Sequence, residues 1–129
     1  MNKYGNKKYI ADGIQFDSKK EGMRYLELRL LQKAGKIERL MLQKPFDLIP
    51  TRKYGNETVR GCKYIADFYY WDKENNEYVA WETKGYETPD YKIKKKIFLE
   101  KYVRNGEVVF IEEKEKIKKY CVDKKNNLK

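Results

Sequence analysis

The chain has 129 residues, with 30 Lys or Arg against 20 Asp or Glu and a formal net charge of +10 at pH 7. This length suits a single domain over residues 1–129, and a hydrophobic fraction of 40% excludes a disordered polyelectrolyte. Because there are 0 His residues, the sequence excludes Ser-His-Asp and Cys-His catalysis, nucleases of the HNH type and His-ligated zinc sites. No apolar run approaches the roughly 20 residues of a membrane-spanning helix, so we expect a soluble protein with no membrane partner.

The charge excess predicts a polyanionic partner, since a strongly basic domain attracts phosphate backbones through its field alone. The alternative is that the lysines reflect the codon usage of an AT-rich genome. The two cysteines, Cys62 and Cys121, are far apart and have no CxxC partner, which favours a reduced, cytoplasmic setting.

A first helix is indicated by the segment 16–21 (FDSKKE). Asp17 or Ser18 can act as its N-cap, and Glu21 completes a capping box. We expect the helix to run to about residue 34 and to end at Gly35. The apolar residues predicted to face a sheet are Leu26, Leu30 and Ala34, beside Met23 and Leu31.

The other segments predict several strands, then a helix, a strand and a last helix. Strands are expected at 37–43, 46–49, 64–71, 78–84 and 108–111, and further helices at 91–104 and 112–120. A hairpin loop is expected at 51–61, a turn at 72–77, a loose basic arm at 1–13 and a basic tail at 123–129. The fold class is therefore α/β of the α+β kind, a mixed β-sheet flanked by helices in the order α-β-β-β-α-β-α.

Charged residues interrupt two of these strands. A hairpin around residues 72–77 sets Asp67 opposite Glu82, and Lys84 projects from the same face as Glu82. Two neighbouring carboxylates require a cation, and their hard oxygens suit Mg²⁺ or Mn²⁺, with the backbone carbonyl of Thr83 as a further ligand. We expect the Thr83 side chain to face away. Lys84 is then suited to assist an attacking water or to neutralise charge on a phosphate, which indicates phosphodiester hydrolysis.

This pattern resembles the PD-(D/E)XK nuclease superfamily through Asp67, Glu82 and Lys84, with Glu82-Thr83-Lys84 as the ExK element. The chain is also similar, over roughly residues 8 to 112, to small phage and prophage endonucleases described as Holliday-junction-resolvase-like. The segments that carry this second likeness are FDSKKE, LQKPFDL, YIADF, ETKG and IKKKIF. One departure is Ala66, which stands where the superfamily name has Pro.

The resemblance implies a restriction-endonuclease-like core that binds a divalent metal and cuts DNA, either duplex or branched, in the cytoplasm of a bacterial host. It also implies that Glu21, on the first helix, completes the catalytic site and that Gln43 contacts DNA. Because such resolvases commonly act as two-fold dimers, a homodimer is expected.

Other residues are candidates for DNA contact on their own position in the chain. Tyr86 follows Lys84 closely enough to border a substrate groove. Lys94, Lys95 and Lys96 begin the second predicted helix, where a charge run is most often a solvated face. Lys95 leans toward the packed side, from which it can reach the site or a phosphate.

Two readings compete with the nuclease. One is a non-catalytic nucleic-acid-binding protein that retains the nuclease fold, whose binding would survive EDTA. The other is an RNA-directed nuclease or a basic ribosome-associated protein, for which the sequence carries no single-strand stacking motif.

Overall fold

The computed structural model describes residues 8–83 and 87–122. Its first elements form a β-hairpin of β1 (Tyr9–Ala11) and β2 (Ile14–Phe16). The prediction of a loose arm was therefore wrong for residues 8–13, and residues 1–7 of that arm lie outside the described part. A short hairpin is marginal alone, and this one is held because Ala11 and Phe16 are buried in the core.

The first helix, α1 (Lys19–Lys33), begins and ends as predicted. The hydroxyl of Ser18 accepts a hydrogen bond from the backbone N–H of Glu21 at 3.1 Å, and Gly35 follows the helix with a φ of +78°. The predicted apolar face was wrong, since Leu30 is 65% exposed. The residues that are buried instead are Glu21, Gly22, Tyr25 and Leu28. The β1–β2 hairpin packs against this side of the helix and so turns it inward. The contact at Gly22 is so close that an added Cβ would overlap the Tyr9 ring.

Seven strands follow α1. They are β3 (Ile37–Ile49), β4 (Arg52–Tyr54), β5 (Glu57–Val59), β6 (Cys62–Asp72), β7 (Glu77–Glu82), β8 (Val109–Glu113) and β9 (Ile117–Tyr120). Five of them form one sheet in the order β3-β6-β7-β8-β9, in which β7 and β8 are parallel and the other neighbours are antiparallel. β4 and β5 form a separate hairpin inside the predicted hairpin loop.

Two strand predictions need correction. β3 is one strand where two were predicted, and it continues through Gln43, whose φ is +53°. The predicted helix at 112–120 is instead the end of β8, a turn and β9. Lys and Glu favour a helix there, but pairing with β8 satisfies the backbone of β9, and the Lys20 ammonium donates to the turn carbonyls of Glu113 and Lys114.

The second helix, α2 (Pro89–Phe98), continues as a π-helical turn, Leu99–Val103, so the predicted helix at 91–104 is confirmed. Its N-cap is Thr88, whose hydroxyl accepts from the N–H of Tyr91. The sheet separates two cores. The core beside α1 contains Tyr25, Leu28, Phe68, Tyr70, Val79 and Trp81, and the core beside α2 contains Phe46, Tyr64, Ala66, Phe98, Val103 and Phe110.

A partly buried ion pair ties α1 to the sheet. The Glu113 carboxylate accepts from Arg24 Nε and Nη2, both at 3.0 Å, and from the Trp81 indole N–H at 2.9 Å. The Arg24 guanidinium also lies over the Trp81 ring, 4.7 Å from its centroid. Burial alone raises the pKa of Glu113, but the hydrogen bonds from Arg24 and Trp81 outweigh burial and hold that pKa below its usual value.

The fold is thus mixed α+β, a five-strand mixed sheet with two α-helices. The predicted order α-β-β-β-α-β is present from α1 to β8, with β4 and β5 inside one connection, and the last predicted helix is replaced by β9. Within the described ranges, no helix is long and apolar enough to cross a membrane.

Candidate active site

Asp67 and Glu82 lie at the open end of the β6–β7 hairpin. The two strands pair from Asp72↔Glu77 to Phe68↔Trp81, and the same register carried one step further sets Asp67 opposite Glu82. The predicted register is therefore confirmed over the paired residues. Directly opposed residues of a regular antiparallel pair share a face, so this extended register would bring the two carboxylates together.

Asp67 is held by Thr83, the residue that follows β7. The backbone N–H and the hydroxyl of Thr83 both donate to Asp67 Oδ2, each at 2.8 Å. The expectation that the Thr83 side chain faces away was wrong, because β7 ends at Glu82 and strand alternation no longer applies beyond it. Thr83 is fully buried, so this pair of hydrogen bonds fixes the orientation of the Asp67 carboxylate from inside the fold.

Glu82 is buried and is held by a tyrosine that the sequence did not single out. The Tyr64 hydroxyl donates to Glu82 Oε1 at 2.6 Å. Burial first, and then the negative charge of Glu82, raise the pKa of Tyr64 well above its ordinary value, and Asp67 adds to the effect. Tyr64 therefore stays a neutral donor, and its position near both carboxylates supports their proximity.

Gln43 connects the first helix to these carboxylates. Its Nε2 donates to Glu21 Oε2 and to Asp67 Oδ1, each at 3.3 Å. Glu21 is 4% exposed, although it stands off the face of α1 that was predicted to pack on the sheet. A concavity of about 260 Å³ opens beside Glu21 and Gln43, between α1 and β2. The structure thus brings together four of the predicted site residues, Glu21, Gln43, Asp67 and Thr83.

The strands change faces at this point. Phe68 packs in the core beside α1, whereas Ala66, two residues earlier, packs in the core beside α2. Residues two apart in a regular strand share a face, so β6 is twisted at Asp67. Opposite it, the positive φ of Gln43 bends β3 between Leu42↔Phe68 and Lys44↔Ala66. Asp67 and Gln43 therefore lie at the boundary between the two cores, where polar side chains remain accessible.

The donors of this site are hard oxygens of the kind that Mg²⁺ and Mn²⁺ prefer. Asp67 Oδ2 takes both bonds from Thr83, and Oδ1 takes a 3.3 Å bond from Gln43. In residues 8–83 and 87–122, no group of three or more Cys, Asp or Glu side chains is arranged to hold a metal ion.

A family model described as "Protein of unknown function (DUF1064)" matches residues 1–120. The chain belongs to this family. No curated protein and no solved structure matches the chain. The match extends from before the first described residue to the end of β9, so the candidate site lies wholly inside the region that defines the family.

A third buried carboxylate, Glu112, lies beside Glu82 across the parallel β7–β8 pair. It is 3% exposed and accepts hydrogen bonds from the Tyr91 hydroxyl and from Lys95 Nζ, the latter at 2.8 Å. Burial alone raises the pKa of Glu112, but Lys95 and Tyr91 hold it below its usual value. Glu112 has no predicted role because the sequence places it in a helix, although an apolar strand that ends in Glu, like Trp81-Glu82, was a usable signal.

The predicted lysines have separate positions. Lys95 faces the packed side, as expected, but its ammonium is engaged by Glu112, and Lys94 lies 3.6 Å from Asp90. Lys96 is exposed on α2. Lys84 and Tyr86 lie outside the described residues, so their predicted roles remain predictions.

Proposed function

We propose that this protein is a metal-dependent DNA endonuclease that hydrolyses phosphodiester bonds. The observation that carries the proposal is the β6–β7 register, which pairs Phe68 with Trp81 and, extended by one residue, sets Asp67 opposite Glu82. Their surroundings support it, because each carboxylate is held by a neutral donor, Thr83 or Tyr64, and neither is neutralised by that donor.

Asp67, Glu82 and the backbone carbonyl of Thr83 would hold Mg²⁺ or Mn²⁺. When bound, the ion supplies a Lewis acid that polarises a phosphoryl oxygen and lowers the pKa of a water. The chain's own residues prepare the site for it. Thr83 fixes the Asp67 carboxylate, Tyr64 fixes Glu82, and Gln43 joins Glu21 to Asp67. Preorganised groups of this kind need no rearrangement when charge develops on the substrate.

Lys84 completes the proposed chemistry from its position two residues after Glu82. We assign it the assistance of the attacking water or the neutralisation of charge that grows on the phosphate. This assignment rests on the sequence and on the resemblance to PD-(D/E)XK nucleases. The order of helices and strands from α1 to β8 is the order that the resemblance implies, which supports the same proposal.

DNA is the proposed substrate because the net charge of +10 favours a phosphate backbone. The similarity to Holliday-junction-resolvase-like endonucleases points to branched DNA and to a homodimer that cuts two strands. Both points are proposals that a comparison of linear, nicked and four-way DNA substrates can test.

The experiment is a cleavage assay on those three substrates with Mg²⁺ or EDTA, using wild type, Asp67→Asn and Glu82→Gln. The matched control is Asp47→Asn, which removes the same charge from a side chain that is 72% exposed. We expect cleavage by wild type and by the control in Mg²⁺, and none by the two site variants. Cleavage by Asp67→Asn at the wild-type rate would falsify the proposal. Binding by wild type that survives EDTA, without cleavage of any substrate, would instead support the non-catalytic reading.

A further inference from the structure

A concavity of about 540 Å³ lies at the sheet edge beyond Glu112, between α2 and the β8–β9 turn. Four lysines line it together with one aromatic ring and two glutamates. The lining residues that carry positive charge are Lys95, Lys114, Lys116 and Lys118. Tyr120 presents its ring to two of them, with Lys95 Nζ at 4.7 Å and Lys118 Nζ at 4.9 Å from the ring centroid.

The charges in this concavity are unequally compensated. Lys95 is paired with Glu112, and Lys114 is paired with Glu87. Within residues 8–83 and 87–122, no carboxylate lies within ion-pair distance of Lys116 or Lys118. The lining therefore holds four ammonium groups against the two carboxylates of Glu112 and Glu115, and Lys116 and Lys118 are the lysines without an ion-pair partner in the described residues.

The concavity is also held in shape from the opposite face of the sheet. Lys20, on α1, donates to the carbonyls of Glu113 and Lys114 at the start of the turn, at 2.8 and 3.1 Å. The side chain of Glu113, the last residue of β8, is fixed by Arg24. The turn closes on itself through the Lys114 N–H and the Lys116 carbonyl at 3.1 Å. The backbone that carries Lys116 and Lys118 is thus anchored before any ligand arrives.

Strand pairing relates this concavity to the candidate active site. Glu82 pairs with Glu112, and Glu112 pairs with Lys118, so the three residues form one row across β7, β8 and β9. Two strand spacings separate the backbones of Glu82 and Lys118, about 10 Å, so the concavity lies within reach of a DNA strand held at Glu82.

We propose that Lys116, Lys118 and Tyr120 form a phosphate-binding site that takes a backbone phosphate of the DNA flanking the bond at Asp67 and Glu82. The ligand chemistry is a phosphodiester oxyanion. The site deepens the proposed function and rests on it for the identity of the DNA. It also shifts the predicted DNA contacts from the lysines of α2, two of which are paired with carboxylates, to β9.

The test measures DNA affinity against salt concentration in EDTA, where no hydrolysis occurs, for wild type, Lys118→Gln and Lys119→Gln. The two variants lose the same charge from adjacent residues of β9, but Lys119 is on the other face and pairs with Glu77 at 3.1 Å. One lost phosphate contact lowers the slope of log affinity against log salt by about 0.9. Raising the salt from 50 to 200 mM should therefore weaken DNA binding by Lys118→Gln about 3.5-fold less than it weakens binding by wild type. Lys119→Gln should match wild type.

Equal salt slopes for the two variants would overturn the site. A parallel titration with inorganic phosphate, followed by the amide NMR signals of β9, separates the sources of phosphate. Shifts with inorganic phosphate but no DNA binding would overturn the assignment to DNA. Loss of slope in Lys118→Gln without any Mg²⁺-dependent cleavage would support the phosphate site and contradict the proposed hydrolysis. Mg²⁺-dependent cleavage with the same salt slope in wild type and Lys118→Gln would support the proposed hydrolysis and contradict the phosphate site.

Discussion

Thr83 gives both of its hydrogen-bond donors, the backbone N–H and the hydroxyl, to a single oxygen of Asp67. The acceptor Oδ2 is therefore turned toward the protein, and Oδ1 is turned toward Gln43. Because Thr83 is fully buried, it cannot exchange these bonds for water. This relationship sets the direction of the carboxylate at the boundary between the two cores.

Thr83→Val should impair cleavage while Thr83→Ser preserves it. Valine keeps the shape of the side chain but removes one donor to a charged acceptor, a loss that lowers the rate by about tenfold if it is felt in the transition state. Serine retains the hydroxyl. Initial rates of Mg²⁺-dependent cleavage measure the difference, and equal rates for the two variants would show that Asp67 needs no orientation by the hydroxyl.

Gln43→Gly should separate catalysis from stability. Glycine adopts a positive φ without strain, so the free energy of unfolding should change by no more than about 1 kcal/mol. The bridge between Glu21 and Asp67 is lost, and cleavage should fall. Arg39→Gly is the matched control, since Arg39 lies in the same strand with a φ of +60° and its side chain is exposed. If Arg39→Gly lost as much activity as Gln43→Gly, the loss would not come from the Gln43 bridge between Glu21 and Asp67.

Tyr64→Phe should weaken the site through Glu82. The variant keeps the ring that packs against Phe98 and Phe110 but leaves Glu82 without its 2.6 Å donor. We expect reduced cleavage and a Mg²⁺ requirement shifted to higher concentration. Tyr102→Phe serves as the control, because the Tyr102 hydroxyl donates to the Asp47 carbonyl away from the site. A Tyr64→Phe enzyme with the wild-type Mg²⁺ dependence would contradict this role.

Glu113→Gln should destabilise the fold in a pH-dependent way. The pKa of Glu113 is lowered in the folded protein by Arg24 and Trp81, with a smaller effect of Lys20. A carboxylate with a lowered folded pKa contributes stability above the pH at which it titrates in the unfolded chain, and this contribution is lost as the pH falls through the folded pKa. Urea unfolding at pH 7 should therefore show a loss of about 2 kcal/mol that shrinks in acid.

The control for that experiment is Glu115→Gln, because Glu115 is exposed on the β8–β9 turn. Its difference from wild type should stay small at every pH. A Glu113→Gln difference that stayed constant between neutral and acid pH would mean that the stabilisation comes from packing and not from the charge of the carboxylate.

Local signals explain what the sequence could predict. Ser18 and Gly35 mark the ends of α1 through bonds that each makes with near neighbours, and the short turn after Asp72 sets the register that brings Asp67 opposite Glu82. Both depend on residues a few positions apart. The predicted carboxylate pair therefore followed from strand alternation and hairpin geometry alone.

The missed features depend on distant partners. The buried side of α1 is decided by the hairpin that packs on Gly22, and an exposed Leu30 is the result. Gln43 has a positive φ, which its residue type does not predict. The change of faces in β3 therefore has no signal in the sequence. The charged residues of β9 predict a helix when the segment is considered alone, and they form a strand because β8 pairs with them.

The central claim is that Asp67 and Glu82 hold one divalent cation between them. Mn²⁺ binding, followed by electron paramagnetic resonance, tests it directly for wild type, Asp67→Asn, Glu82→Gln, the double variant and the Asp47→Asn control. We predict that wild type and the control bind Mn²⁺, that each single variant loses that binding, and that the double variant binds no more weakly than either single variant. Mn²⁺ affinity that was undiminished in Asp67→Asn or Glu82→Gln, or absent from wild type, would contradict it.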